Sequence, residues 1–152
     1  MKKNFTQKIV SFYSDKVYND SLNEINYLSE KLLNIKKKQH IIDLFVLTKE
    51  EFEEYKTNYF YKTLLNNISD TYNIYFVDKN AFMANDLDIY NRLIDGIIIY
   101  EDCVYQDTYS DEISLGFVDC KEETIKKYND YFDYVLEKYG QKISVGGVID
   151  GI

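Results

Sequence analysis

Apolar residues recur along this chain with two periods, and the switches between them mark out the elements. Phe5, Ile9, Phe12, Tyr13 and Val17 fall at i, i+4, i+7, i+8 and i+12, the stripe of an amphipathic helix. Asn19-Asp20-Ser21 breaks the phase, and Ser21 with Glu24 makes a capping box for a second stripe through Leu22, Ile25, Leu28, Leu32 and Ile35. Lys36, Lys37 and Lys38 fall in its last turn, where cations complement the helix dipole. His40 to Leu47 is a nearly continuous apolar run rich in branched residues, the pattern of a buried strand.

Thr48 and Glu51 form another capping box, followed by one helix face carrying Phe52, Tyr55, Tyr59, Phe60 and Leu64. Asn73 to Val77 reads as a strand ending at Asp78. Asn85 or Asp86 caps a helix through Leu87, Tyr90, Leu93 and Ile94, closed by Gly96. Ile97 to Tyr100 is a third strand, so strand, helix, strand, helix, strand follow in turn, the order of crossover units with parallel strands. Cys103 to Tyr105 reads as an edge strand and Ile113 to Val118 as a further strand. Asp119 with Glu122 caps a helix bearing Ile125, Tyr128, Phe132, Val135 and Tyr139, ended by Gly140. Ile143 to Ile149 reads as a last strand in which glycines mark a bulge or a close backbone approach. The expected fold is an α/β sandwich forming one domain over 1–152. Residues 1–38 supply an N-terminal helical pair, and residues 39–152 hold a mixed sheet of four to five strands with helices packed on it.

Composition fits that expectation. The chain has 152 residues, 45% of them hydrophobic, enough for a single core without a structural metal or disulfide. No run approaches the roughly 18–20 apolar residues of a membrane span, and the basic start leads into no apolar signal region. Cys103 and Cys120 make no disulfide framework. These features point to a soluble, cytoplasmic protein. The 16 Tyr and 9 Phe stand beside one Arg, two Ala and no Pro, the signature of a genome poor in G and C.

Several chemistries are excluded by what is missing. The first glycine in the chain is Gly96, so the first strand–helix junction, Leu47 to Glu51, has none of the glycines that let backbone N–H groups approach phosphates. That excludes a P-loop NTPase and a dinucleotide-binding Rossmann domain. His40 is the single histidine and reads as a partly exposed residue at the start of a strand, and one His with two separated Cys makes no closed zinc site.

Carboxylates are in surplus. Open α/β sheets bind ligands beyond the carboxyl ends of their strands, and predicted strands end at Asp78, Glu101 or Asp102, Asp119 and Asp150. Convergent acids from the set Asp43, Asp78, Asp102 and Asp119 would hold Mg²⁺ or Mn²⁺ for phosphoryl chemistry, the alternative to a protein without cofactor. Ile41 to Leu47 with Leu93 to Tyr100 is similar in strand layout to small polymerase-β-like nucleotidyltransferases. That family's Gly-Ser pair is absent and Ile41 stands where its first acid falls, so the resemblance carries over Asp43 alone. Asp86-Leu87-Asp88-Ile89 has the alternating acids, again without the glycine. Val118-Asp119-Cys120-Lys121 resembles the (Asp/Glu)-x-Lys strand end of a nuclease superfamily, which implies Asp102 or Asp107 as the upstream acid.

Charge distribution supplies the leading expectation. Net charge is −8, yet residues 1–40 hold 8 Lys against 4 acids, and residues 41–152 hold 22 acids against 10 basic residues. Between Asp86 and Glu112, Asp86, Asp88, Asp95, Glu101, Asp102, Asp107, Asp111 and Glu112 face Arg92 alone, with Tyr90, Tyr100, Tyr105 and Tyr109 interleaved. Such a surface repels a phosphate backbone and suits a basic protein partner. The expected function is a non-catalytic binding protein that covers a partner's nucleic-acid-binding surface. Immunity proteins and antitoxins of nuclease toxins, and phage inhibitors of host defence, act in this way. A metal-dependent phosphoryl-transfer enzyme is one alternative. The other is a regulatory subunit that docks through the N-terminal helices, so that deleting residues 1–20 leaves the core folded.

Overall fold

The structure is a computed structural model that describes residues 6–13, 40–94, 96–109 and 114–149. Its centre is three parallel strands, β1 (Gln7–Phe12), β2 (Ile41–Leu47) and β3 (Tyr72–Asp78), paired in register from Gln7↔Ile41 and Ile41↔Tyr72 onward. Between β2 and β3 lie α1 (Lys49–Thr57) and α2 (Tyr59–Asn66), and after β3 come α3 (Lys79–Asn85) and α4 (Leu87–Leu93). The chain continues as β4 (Ile97–Ile99), β5 (Val104–Tyr109), β6 (Ser114–Asp119), α5 (Glu122–Tyr139), β7 (Gln141–Ser144) and β8 (Val148–Ile149). The eight strands form one mixed sheet in the order β6-β5-β4-β1-β2-β3-β7-β8, with every pair outside the central three antiparallel. The sheet is therefore larger than the four to five strands expected.

Two apolar layers sandwich it. Ile9, Ile41, Phe45, Leu47, Tyr72, Ile74 and Phe76 point to one face and pack with Phe52 and Tyr55 of α1 and with Phe60, Tyr61, Leu64 and Leu65 of α2. Val10, Leu44, Val46, Val77, Ile97, Ile99 and Val104 point to the other face, against Phe82, Tyr90, Leu93, Phe132 and Val135 from α3, α4 and α5. The alternation of side chains along a strand produces this division. A strand covered on both faces needs apolar residues at consecutive positions.

That rule explains the principal correction. Residues 7–12 are a strand and not part of an N-terminal helix. The helical stripe left Val10 on its polar side, whereas Val10 is 1% exposed and its neighbour Ile9, on the opposite face, 5%. Consecutive apolar residues buried on opposite sides are a property of a central strand. The second expected helix, Leu22 to Ile35, lies outside the described residues, as do Lys36, Lys37 and Lys38.

Other expectations meet local corrections. The Thr48–Glu51 capping box is present, with both hydrogen bonds made. The helix it starts breaks at Asn58, whose extended backbone ends α1 and whose side chain accepts from the Phe60 and Tyr61 N–H groups to start α2. The restart turns Tyr59, expected on the buried face, out to 79% exposure and brings Tyr61 under Tyr55, ring centroids 3.5 Å apart. Helix α3 was not anticipated. Asp78 caps it through the Asn80 N–H.

The crossover order predicted a parallel β4. Instead Ile97 pairs beside Val10, at the end where β3 finished, so β4 enters from that end and runs antiparallel to β1. Gly96 permits the entry with φ +96°, and a β-carbon there would lie 3.1 Å from the Val10 carbonyl oxygen. The segment around Cys103 to Tyr105 is not an edge: β5 lies between β4 and β6, and β6 ends the described sheet. The last strand is a hairpin of β7 and β8 whose glycines, Gly146 and Gly147, form a turn at φ +89° and +91° rather than a bulge. Among the described residues no helix is long and apolar enough to cross a membrane.

Because β1 is hydrogen-bonded to both β2 and β4, deleting residues 1–20 removes the middle of the sheet, not a detachable docking arm. The truncated chain should lack a cooperative thermal transition in circular dichroism. Phe132→Ala, which empties the second layer, should fold but lose about 3–5 kcal/mol in urea titration.

Candidate interaction surface

The topology gives the sheet two rims. The carboxyl rim gathers the ends of β1, β2 and β3, and the amino rim gathers their starts together with the end of β4, the Tyr100–Cys103 turn, the end of β6 and the start of α5. Helix α5 runs from the amino rim to the carboxyl rim, a span of roughly 27 Å for its 18 residues at 1.5 Å each. Acids adjacent in sequence are sorted by these rims to opposite ends of the molecule.

At the carboxyl rim stand Asp78, Asp86 and Asp88. Asp86 begins α4, but its side chain makes no cap bond. It accepts instead from Tyr134 Oη at 3.0 Å, from Lys138 Nζ at 2.9 Å and from Tyr139 Oη, tying the α3–α4 junction to the last turn of α5. The Tyr139 and Lys138 hydrogen bonds hold the Asp86 carboxyl below its ordinary range. The Lys138 ammonium is pushed up by its bonds to Tyr134 and Asp86, and the Tyr139 hydroxyl by burial and then by Asp86. Asp86 is thus neutralised by an internal partner. Asp88 remains exposed. Tyr90 is 5% exposed and packs edge-on against Phe12 and Phe82, so it belongs to the core and offers no contact surface.

At the amino rim the β4–β5 turn presents Glu101 and Asp102, both exposed, closed by the Tyr100 N–H on the Cys103 carbonyl at 2.8 Å. Tyr100 is partly exposed and Tyr105 half-buried. Register places Val104 opposite Asp119, which brings this turn beside Cys120 and the first turn of α5, with Glu122 and Glu123 exposed. Asp119 was expected to cap α5. Lys121 occupies that position, and Asp119 braces the helix start from two residues earlier. It accepts from the Lys121 N–H at 2.9 Å and the Thr124 hydroxyl at 2.8 Å, which hold its carboxyl below the ordinary range in that order of importance.

Just inside this rim, edge strand β6 exposes Phe117 on one face (50%) and Val118 on the other (56%). The sequence reading missed these two and the Glu122–Glu123 pair. No local signal marked them: adjacent apolar residues in a strand read as covered on both faces, and only the strand order places β6 at the end of the described sheet. Asp107 and Tyr109 take register positions opposite Gly116 and Ser114 in β5. Asp95, Asp111, Glu112 and Asp150 lie outside the described residues.

The four alternative metal ligands do not converge. Asp43 is buried mid-strand in β2, accepting from Ser11 Oγ at 2.9 Å; Asp78 lies at the carboxyl rim; Asp102 and Asp119 lie at the amino rim. Among the described residues no group of three His, Cys, Asp or Glu side chains is placed to hold a metal ion. His40 has the structural role expected of it, at the start of β2, with its ring nitrogens 3.2 Å from Thr6 Oγ1 and from Asn73 Nδ2. No family model, curated protein or solved structure matches this chain.

The Asp86 cluster sets a pH window. A carboxylate whose folded pKa is depressed contributes stability above its unfolded value, near 3.8, and loses it as pH falls through the lower folded value. The raised Lys138 and Tyr139 groups contribute below their ordinary values, near 10.5 and 10.0, and lose that contribution as pH rises further. The Tm difference between wild type and Asp86→Asn should therefore be largest across the intervening plateau and shrink towards both extremes. A pH series of thermal melts measures it.

Proposed function

We propose that this protein is a non-catalytic binding protein whose amino rim docks on a basic protein surface and blocks nucleic acid from using it. The observation that carries the reading is the register of β5 and β6. It places Glu101 and Asp102 at the same rim as Glu122 and Glu123, beside a strand at the end of the described sheet that exposes Phe117 and Val118. Apolar and aromatic anchors ringed by like charges suit a partner of opposite charge, with the anchors supplying affinity and the acids steering approach and register. Lys121 is the one basic residue within this run from Asp119 to Glu123. A net charge of −8 opposes direct contact with a phosphate backbone.

The surface is smaller than the whole Asp86–Glu112 stretch and is centred elsewhere: Asp86 is paired, Tyr90 is core, and Asp88 lies at the far rim. Immunity proteins and antitoxins of nuclease toxins, and phage inhibitors of nucleic-acid-targeting defence, are the class to which such occlusion belongs.

The test is capture of partners from the native cell followed by binding kinetics on the recovered protein. A partner with a basic nucleic-acid-binding surface should bind more weakly as salt rises, since exposed charges are screened over about 8–10 Å. Glu101→Lys with Asp102→Lys should slow association on the order of tenfold, while Glu137→Lys, near the far end of α5, should change it little. Phe117→Ser should speed dissociation. Equal kinetics for the rim reversal and the Glu137 control would reject this surface.

A further inference from the structure

We propose that Cys103 and Cys120 form a reversible dithiol–disulfide site that pins the end of β6 to the start of β5, oxidised by a low-molecular-weight disulfide. Seventeen positions apart in sequence, the two cysteines meet through strand pairing. Val104 is opposite Asp119, so the next pair outward is Cys103 and Cys120.

The kind of pair follows from the backbone. The Cys103 carbonyl accepts from the Tyr100 N–H across the β4–β5 turn, so Cys103 turns its hydrogen-bonding groups towards β4 and away from β6. Cys103 and Cys120 therefore occupy a non-hydrogen-bonded position of the β5–β6 ladder. There the Cα atoms are about 4.5 Å apart and the side chains closest, within the roughly 4.4–6.8 Å window that a disulfide spans. Both cysteines are free thiols.

The surroundings set the order of events. Cys120 is exposed, whereas Cys103 is half-buried. Exposure makes Cys120 the thiol that meets the reagent first, and burial, then Cys120, then Asp102 push the Cys103 thiol up. The Cys120 thiolate attacks one sulfur of the external disulfide, forming a mixed disulfide and releasing one thiol. Cys103 then attacks the Cys120 sulfur, breaking that mixed bond and releasing the second thiol. Two protein thiols and one external disulfide become one protein disulfide and two external thiols, each released thiolate taking up the proton a cysteine gave. Glu101, Asp102, Glu122 and Glu123 around the pair favour a cationic reagent over an anionic one. This inference stands on the register of the two cysteines and is independent of the proposed binding function.

Cystamine, a disulfide carrying two ammonium groups, is the probe. After exposure to it, wild-type protein that is denatured and alkylated should take up no alkyl groups and retain no adduct. It should show no disulfide-linked dimer on denaturing, non-reducing gels and yield a peptide cross-link between Cys103 and Cys120 that dithiothreitol reverses. Cys103→Ser should keep one cysteamine adduct on Cys120, and Cys120→Ser should react at least tenfold more slowly, a difference that vanishes in urea. Two retained adducts on wild type, a disulfide-linked dimer, or two thiols still open to alkylation would overturn the proposal. The wild-type cross-link needs no substitution, so the result holds however the variants fold.

Discussion

The pairing of β1 with β2 and β4 is the constraint on which the other elements depend. Three parallel strands in the middle of an eight-stranded sheet have no edge to leave exposed, and each must be apolar on both faces. Ile9 and Val10, one residue apart, each seed a different layer, and the layers are finished by different parts of the chain: α1 and α2 on one side, α3, α4 and α5 on the other. Losing β1 would separate β4, β5 and β6 from the rest of the sheet and leave β2 unpaired on one side.

Once the central strands are set, the antiparallel wings follow from where the chain re-enters. Two helices of seven residues each return the chain to the rim it left, so β4 runs against β1, and short turns then build β5 and β6 outward. The eighteen-residue α5 spans the sheet and delivers the chain to β7 on the opposite wing. Its last turn is fastened by Asp86, Tyr134, Lys138 and Tyr139, its middle by Lys8, whose ammonium reaches Asn129 at 2.8 Å and Asp133 at 3.0 Å. Lys8 thus ties β1 to the helix that covers it. Such partly exposed pairs fix geometry more than they stabilise, because solvent screens them.

The same wiring sorts the charges. Asp86 and Glu101 are fifteen positions apart but stand at opposite rims, while Asp102 and Glu122, twenty apart, share one rim because β5 and β6 run antiparallel. The two thiols are brought together by the same register. Glu101, Asp102, Glu122 and Glu123 are exposed at the rim where β6 ends, while Asp86, Asp78 and Asp119 serve as struts and caps within the fold.

The sequence alone determined the α/β class, the buried strand at Ile41–Leu47, the Thr48 capping box, the strand ending at Asp78 and the long helix closed by Gly140, because each rests on interactions within a few residues. It also argued against a P-loop or dinucleotide-binding loop at the Leu47–Glu51 junction, since those loops need glycines that the first 95 positions lack. Long-range pairing decided the rest. A six-residue segment such as Gln7–Phe12 is short enough to fit a helical stripe at the cost of one apolar residue, Val10, and the presence of β2 and β4 on either side selects the strand. Which acids are free, which cysteines meet and which apolar residues stay exposed depend on strand order, and strand order is fixed by contacts between residues far apart in the chain.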